Sequence, residues 1–281
     1  MTRDEIRNLQ KRNKAYWHRR DMKQRARLFD RTVTELDAEL AKQYSRVGRR
    51  LRNEIISFLE MARESDGTLE VSDLYKSGRY YKLMNQINAE LDRLGYRQID
   101  SIEQKLLDVY EKQSAITASS FGLYNTVDKE AAKLVIRELW CSDGKGLSDR
   151  IWTNKAALVQ KLESSLFDFV SRGQPTAQLV TDLTAEQVPM SEFKSILDDD
   201  FKEAYNNARR LVRTETARIQ NRATQDRYKE AGFTKYRIIA EPDCCDVCAD
   251  LQEQIFDIDD LVIPAHPNCR CAMVAITESL K

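Results

Sequence analysis

The chain has no apolar run long enough to cross a membrane, and residues 1–20 are charged throughout, with no apolar core of a secretory signal. No membrane span is therefore expected, and a reducing compartment is, which argues against a disulfide scaffold. Internal repeats and low-complexity tracts are absent, as is any glycine-rich loop placed after a strand to cradle a nucleotide. Histidine is scarce, with two residues in 281, so every histidine with polar company counts. Net charge is zero, from 45 basic and 45 acidic residues, which removes any overall attraction to polyanions. What remains is a chain with 42% hydrophobic residues, enough for one large core or two modest ones.

Five of the six cysteines and one of the two histidines fall within the last forty residues. Cys244-Cys245-x-x-Cys248 is followed after seventeen residues by His266-Pro267-Asn268-Cys269-Arg270-Cys271. Two tight turns, each presenting soft donors at one point, are what a tetrahedral metal site requires. Thiolate and imidazole donors select zinc over calcium or magnesium. Cys245, Cys248 and Cys269 are the firmest ligands, His266 and Cys271 compete for the fourth place, and Cys244 reads as a bystander. A thioredoxin-like redox pair needs a strand-to-helix context, whereas this motif precedes an acidic loop, Asp246 to Asp260. A catalytic zinc needs an open position and a placed base; Glu241, Asp243, Asp246 and Asp250 read as a solvated loop, and the surplus of ligands favours a closed, structural site.

Charge is unevenly spread. Residues 1–31 hold eleven bases against four acids, and residues 241–281 hold nine acids against two bases, so the two ends face different partners or each other. The basic arm 1–31 contains Tyr16, Trp17, Arg19, Arg20, Lys23 and Arg27, a set that neutralises phosphates and stacks on bases. The same arm carries an apolar edge of Ile6, Leu9, Tyr16 and Leu28, which suits docking on an acidic protein surface better than DNA.

From about residue 28 the apolar period is helical, through Val33, Leu36, Leu40, Tyr44, Val47, Leu51, Ile55 and Phe58, to a turn at Glu64–Gly67. A short extended piece is expected at 69–74. A second helix carries Leu83, Ile87, Leu91 and Leu94 and is closed by Gly95, and a third runs from Ile99 to Ser119 until Gly122 interrupts it. Another is expected over 126–140, before the linker Ser142–Gly146. Beyond it, Leu158, Leu162, Leu166 and Val170 mark a helix that stops at Gly173-Gln174-Pro175; another begins at Thr176, and a longer one spans about 191–231 up to Gly232. Only then does the pattern turn to strands, 236–240 and 272–276, placed on either side of the cysteine motif so that pairing them joins the two ligand turns. The expected fold is mainly α, with a small C-terminal α+β module. The expected divisions are a helical region 1–141, a central helical region 147–232 and a metal module 233–281.

Arg213-Thr214-Glu215, the helix through Asn221 and Tyr228 to Gly232, then Asp243, Cys245-x-x-Cys248, Leu251, Pro264, His266-Pro267 and Cys269-Arg270-Cys271 resemble the phage Mu protein F-like domain. Leu147–Trp152 and the Gly173-Gln174-Pro175 break are similar to siphophage members of that family. Gln252-Glu253-Gln254 and Pro264-Ala265 depart from its usual loop. The resemblance covers residues 145–276 and implies a low-copy minor head protein of a tailed phage. Such a protein is made in the bacterial cytoplasm and built into the capsid interior near the portal, with the portal protein, other head or scaffolding proteins and phage DNA as partners.

An enzyme is the competing class. Arg213-Thr214-Glu215 superficially resembles the arginine and glutamate of ADP-ribosyltransferases, but the three sit together in one helical run, where Glu215 pairs with Arg218 or Arg222 at helical spacing. A zinc-dependent nuclease needs a free histidine base, and His18 stands far off on the basic arm.

Overall fold

The structure, a computed structural model, describes residues 2–6, 8, 20–63, 78–171, 190–252 and 254–276. It is mainly helical, with a small sheet at the C-terminal end. The helices are α1 (Arg20–Arg63), α2 (Arg79–Phe121), α3 (Lys129–Ile136), α4 (Leu147–Ser171), α5 (Met190–Glu230) and α6 (Asp246–Leu251); the strands are β1 (Lys235–Ile239), β2 (Ile255–Asp257) and β3 (Ala272–Ala275). The expected extended piece at 69–74 and the helix starting at Thr176 lie outside the described residues.

Two compact units emerge, each built from separate stretches of chain. One comprises residues 1–38, 100–148 and 209–281, the other residues 39–99 and 149–208. The second unit is a helical core. Its segments of α1, α2, α4 and α5 contribute Leu51, Ile55, Leu59, Leu83, Ile87, Leu91, Leu158, Leu162, Phe193 and Leu197, all essentially buried at the three- and four-residue steps of an amphipathic helix. Phe169 stacks on Phe193 with ring centroids 4.2 Å apart.

One expectation fails in this unit. Gly95 does not close a helix: α2 runs unbroken through it from Arg79 to Phe121. The glycine serves packing instead, because a Cβ at this position would stand 2.9 Å from Cζ3 of Trp152. The indole takes the space that a side chain would fill. Gly122, at φ +67, does end α2, in a backbone region that residues with a Cβ rarely adopt.

In the first unit α5 ends at Gly232, φ +85. The Phe233 N–H donates to the Tyr228 carbonyl at 3.0 Å, the six-to-one bond of a Schellman cap. Phe233 then packs edge-on against Tyr228 and Phe121, giving that cap its hydrophobic contact. The chain turns directly into β1, the centre of an antiparallel sheet in the order β2-β1-β3. Tyr236 pairs with Phe256 on one side and Ala275 on the other, and Ile238 pairs with Met273. β1 and β3 are the expected pair; β2 is an addition inside the stretch read as an acidic loop. Helix α1 also begins earlier than its apolar period, with Arg25 buried in its first turns.

Candidate metal centre

The sheet sets the two cysteine turns side by side. β1 leads through Glu241 into Cys245, which stands at the N-cap position of α6, so that Cys248 lies in the helix's first turn. This strand-to-helix setting differs from the acidic loop expected there. β3 begins at Ala272, so Cys269 and Cys271 arrive just before the strand that pairs with β1. Asn268, at φ 66, makes the turn tight, in a left-handed conformation that asparagine tolerates better than most residues. The Cys269 N–H closes that turn on the His266 carbonyl at 3.1 Å.

All five expected ligands come together. Cys245, Cys248 and His266 form one group and Cys248, Cys269 and Cys271 another, with the donor atoms of each group within 4.8 Å of one another. His266 Nε2 lies 3.2 Å from Cys245 Sγ and 3.1 Å from Cys248 Sγ, and Cys248 Sγ lies 3.7 Å from Cys269 Sγ. Zinc–sulfur bonds of about 2.3 Å put the sulfurs of a tetrahedron about 3.8 Å apart, which the Cys248–Cys269 spacing meets. His266 Nδ1 faces the Pro267 carbonyl at 2.8 Å. A carbonyl only accepts, so the proton resides on Nδ1 and the Nε2 lone pair is turned toward the sulfurs. Soft donors and tautomer suit a soft divalent metal, which this cluster could hold. Cys244 belongs to neither group and packs in the module's core.

The interior sulfurs are electrostatically coupled. Cys269 accepts from the Cys248 and then the Cys271 thiol, and these bonds hold its own pKa far below the usual thiol value. Cys248 is pushed up correspondingly, through its bond to Cys269, then that to Cys271, and by burial. Several thiolates in so confined a space repel one another unless a cation joins them.

Sequence pattern did not reveal how firmly α5 grips this module. Thr214, Arg218, Asn221 and Gln225 lie at helical spacing, are buried, and each bonds to the main chain of another segment. Thr214 Oγ1 accepts from the Asn268 N–H at 3.0 Å. Asn221 Nδ2 donates to the Cys271 carbonyl at 3.0 Å, and Gln225 Nε2 to the Ile258 carbonyl at 2.6 Å. Arg218 donates to the carbonyls of Val135 and Ile136 at 2.9 and 2.8 Å, capping the end of α3. The signal was present as four polar side chains at steps of four, three and four residues, hidden because polar residues count against an apolar face.

Glu215 is fully buried. Its Oε2 accepts from Arg218 Nε at 2.8 Å and its Oε1 from Trp140 Nε1 at 3.0 Å, so both oxygens are engaged within the protein. Arg222 pairs with Asp226 instead. Glu241, expected in a solvated loop, is ion-paired with Arg270 at 2.9 Å, and burial raises its pKa.

In comparison with known families, the model of the phage Mu protein F like protein matches residues 160–274, a span that holds α5, β1, β2 and every candidate ligand. Residues 160–274 are similar to the phage Mu protein F-like family. That family is one of phage head morphogenesis proteins. No curated protein and no solved structure matches the chain. The part of α5 from Arg209 onward and the cysteine module lie in the same compact unit, which fits the grip of α5 described above.

Of the expected docking residues, Tyr16, Trp17 and Arg19 lie outside the described residues, as does His18; Arg20 opens α1, and Lys23 and Arg27 stand exposed on it. Ile6 packs against the core of the C-terminal module, so at least one apolar residue of the arm faces inward. Among the described residues no helix is long and apolar enough to cross a membrane.

Proposed function

We infer that the protein is a minor head component of a tailed phage, built in few copies into the interior of the procapsid near the portal, where it serves assembly and DNA packaging or delivery. The observation that carries this reading is the family match, which spans every candidate ligand and the helix that holds them. Extended amphipathic helices such as α1, α2 and α5 suit docking on other head proteins, and Lys23 and Arg27, exposed on α1, suit contact with the portal or DNA. We assign zinc to Cys245, Cys248, His266 and Cys269, with Cys271 as the buried neighbour that bonds to Cys269. Bound there, zinc cross-links the two turns and supplies no chemistry. A structural zinc site contributes on the order of 10 kcal/mol to folding, so a module of this size depends on it.

The test is composition of assembled heads together with metal content. Purified particles are expected to contain the chain in a few copies per head, and the isolated protein one zinc per chain. Cys248→Ser should release the zinc and expose residues 235–276 to protease. Absence of the chain from heads, or a protease-resistant C-terminus without zinc, would defeat the reading.

A further inference from the structure

Arg25 is only 2% exposed, yet among the described residues no carboxylate lies within ion-pair distance of it. Three other arginines of the first unit have anionic partners: Glu215 for Arg218, Glu230 for Arg227, and Asp30 and Glu241 for Arg270. Arg25 instead donates from Nη2 to Asn221 Oδ1 at 2.9 Å and from Nη1 to Thr224 Oγ1 at 3.4 Å, both neutral. A buried charge with neutral partners is costly and requires an anion nearby.

Asn221 points to that anion. Its oxygen must face Arg25, which only donates, and its amide nitrogen must face the Cys271 carbonyl, which only accepts. The guanidinium is therefore one side chain away from the backbone between Cys269 and β3. Burial lowers the Arg25 pKa to about 10, which leaves it charged at neutral pH. Zinc held by three thiolates and an imidazole keeps one excess negative charge, and here Cys248 and Cys269 are almost fully buried. Arg270 is already balanced by two carboxylates, so Arg25 is the buried cation left for the centre.

We propose that Arg25 is the outer-sphere cation of the metal centre, offsetting the excess negative charge of a thiolate-rich zinc complex and, through Asn221, fixing the Cys269–Cys271 backbone. This rests on the zinc assignment above. The full-length protein is titrated with zinc against a chromogenic chelator, and with cobalt, whose sulfur-to-metal absorption reports thiolate ligation. Arg25→Lys keeps the charge and should bind zinc within about threefold of wild type, whereas Arg25→Gln keeps hydrogen bonding without charge and should bind about tenfold or more weakly. Thr224→Asp, which leaves the Asn221 bond to the Cys271 carbonyl in place, gives Arg25 its own carboxylate and should weaken zinc similarly, which keeps the test sound if Arg25→Gln fails to fold. Wild-type zinc binding with Gln and Asp variants equal to the Lys variant would overturn this proposal alone. A wild type that binds no zinc would overturn it together with the metal assignment.

Discussion

Glu215→Gln isolates the most buried ion pair of the first unit. The carboxylate is flanked by two groups that can only donate, Arg218 Nε–H at 2.8 Å and Trp140 Nε1–H at 3.0 Å. Glutamine offers a single acceptor oxygen, so its amide N–H must confront one of those donors, and the guanidinium, almost fully buried, loses its closest anion. Removing one partner of a buried pair costs about 3–5 kcal/mol. The Glu138 carboxylate, 3.9 Å from Arg218 Nη1, is half exposed and offsets part of this, which places the expected loss at the lower end, about 3 kcal/mol. For a unit of this size that corresponds to a fall in Tm of roughly 6–12 °C, read by calorimetry or circular dichroism. Zinc content should stay at the wild-type level, because Glu215 touches none of the candidate ligands. A variant melting within about 2 °C of wild type would refute the account of Glu215 as a buried structural anion.

Gly95→Ala should destabilise by about 1 kcal/mol despite alanine's better helix propensity, since the new Cβ meets Trp152 at 2.9 Å; an unchanged or raised Tm would show that the indole moves aside freely. Glu35 accepts from Arg31 and Lys105, and these bonds lower its pKa to about 2. Because its folded pKa lies below the unfolded value, its contribution is present above about pH 4.5 and is lost as pH falls toward 2, so Glu35→Gln should be less stable than wild type at pH 6 and indistinguishable from it at pH 2 in thermal melts. A gap that persists at pH 2 would contradict this sign.

Much of this architecture was legible because it rests on periodicity and spacing. Leu36, Leu40, Tyr44, Val47, Leu51 and Ile55 mark α1 by steps of three and four, and Cys245-x-x-Cys248 with His266-x-x-Cys269 marks the site by donor spacing. Gly95 misled because a glycine that ends a helix and one that admits an indole look identical in one dimension; only Trp152, distant in sequence, distinguishes them. β2 was missed because three residues are too few to show alternation, and Ile255 is exposed at 62%. The roles of Asn221 and Arg25 depend on contacts nearly two hundred residues apart in sequence, which no local pattern encodes.

The stripe on α5 has a consequence for how the chain tolerates change. Thr214, Arg218, Asn221 and Gln225 hold peptide groups of residues 268, 135–136, 271 and 258, not their side chains. A peptide group is the same whatever residue carries it. Outside the candidate metal ligands, the clasped segments are thus open to rewriting so long as they follow the same path, while the four positions on the helix are not. α5 acts as a socket, and a loop of foreign sequence that keeps the metal ligands, the length and the turn should seat in it as the native one does.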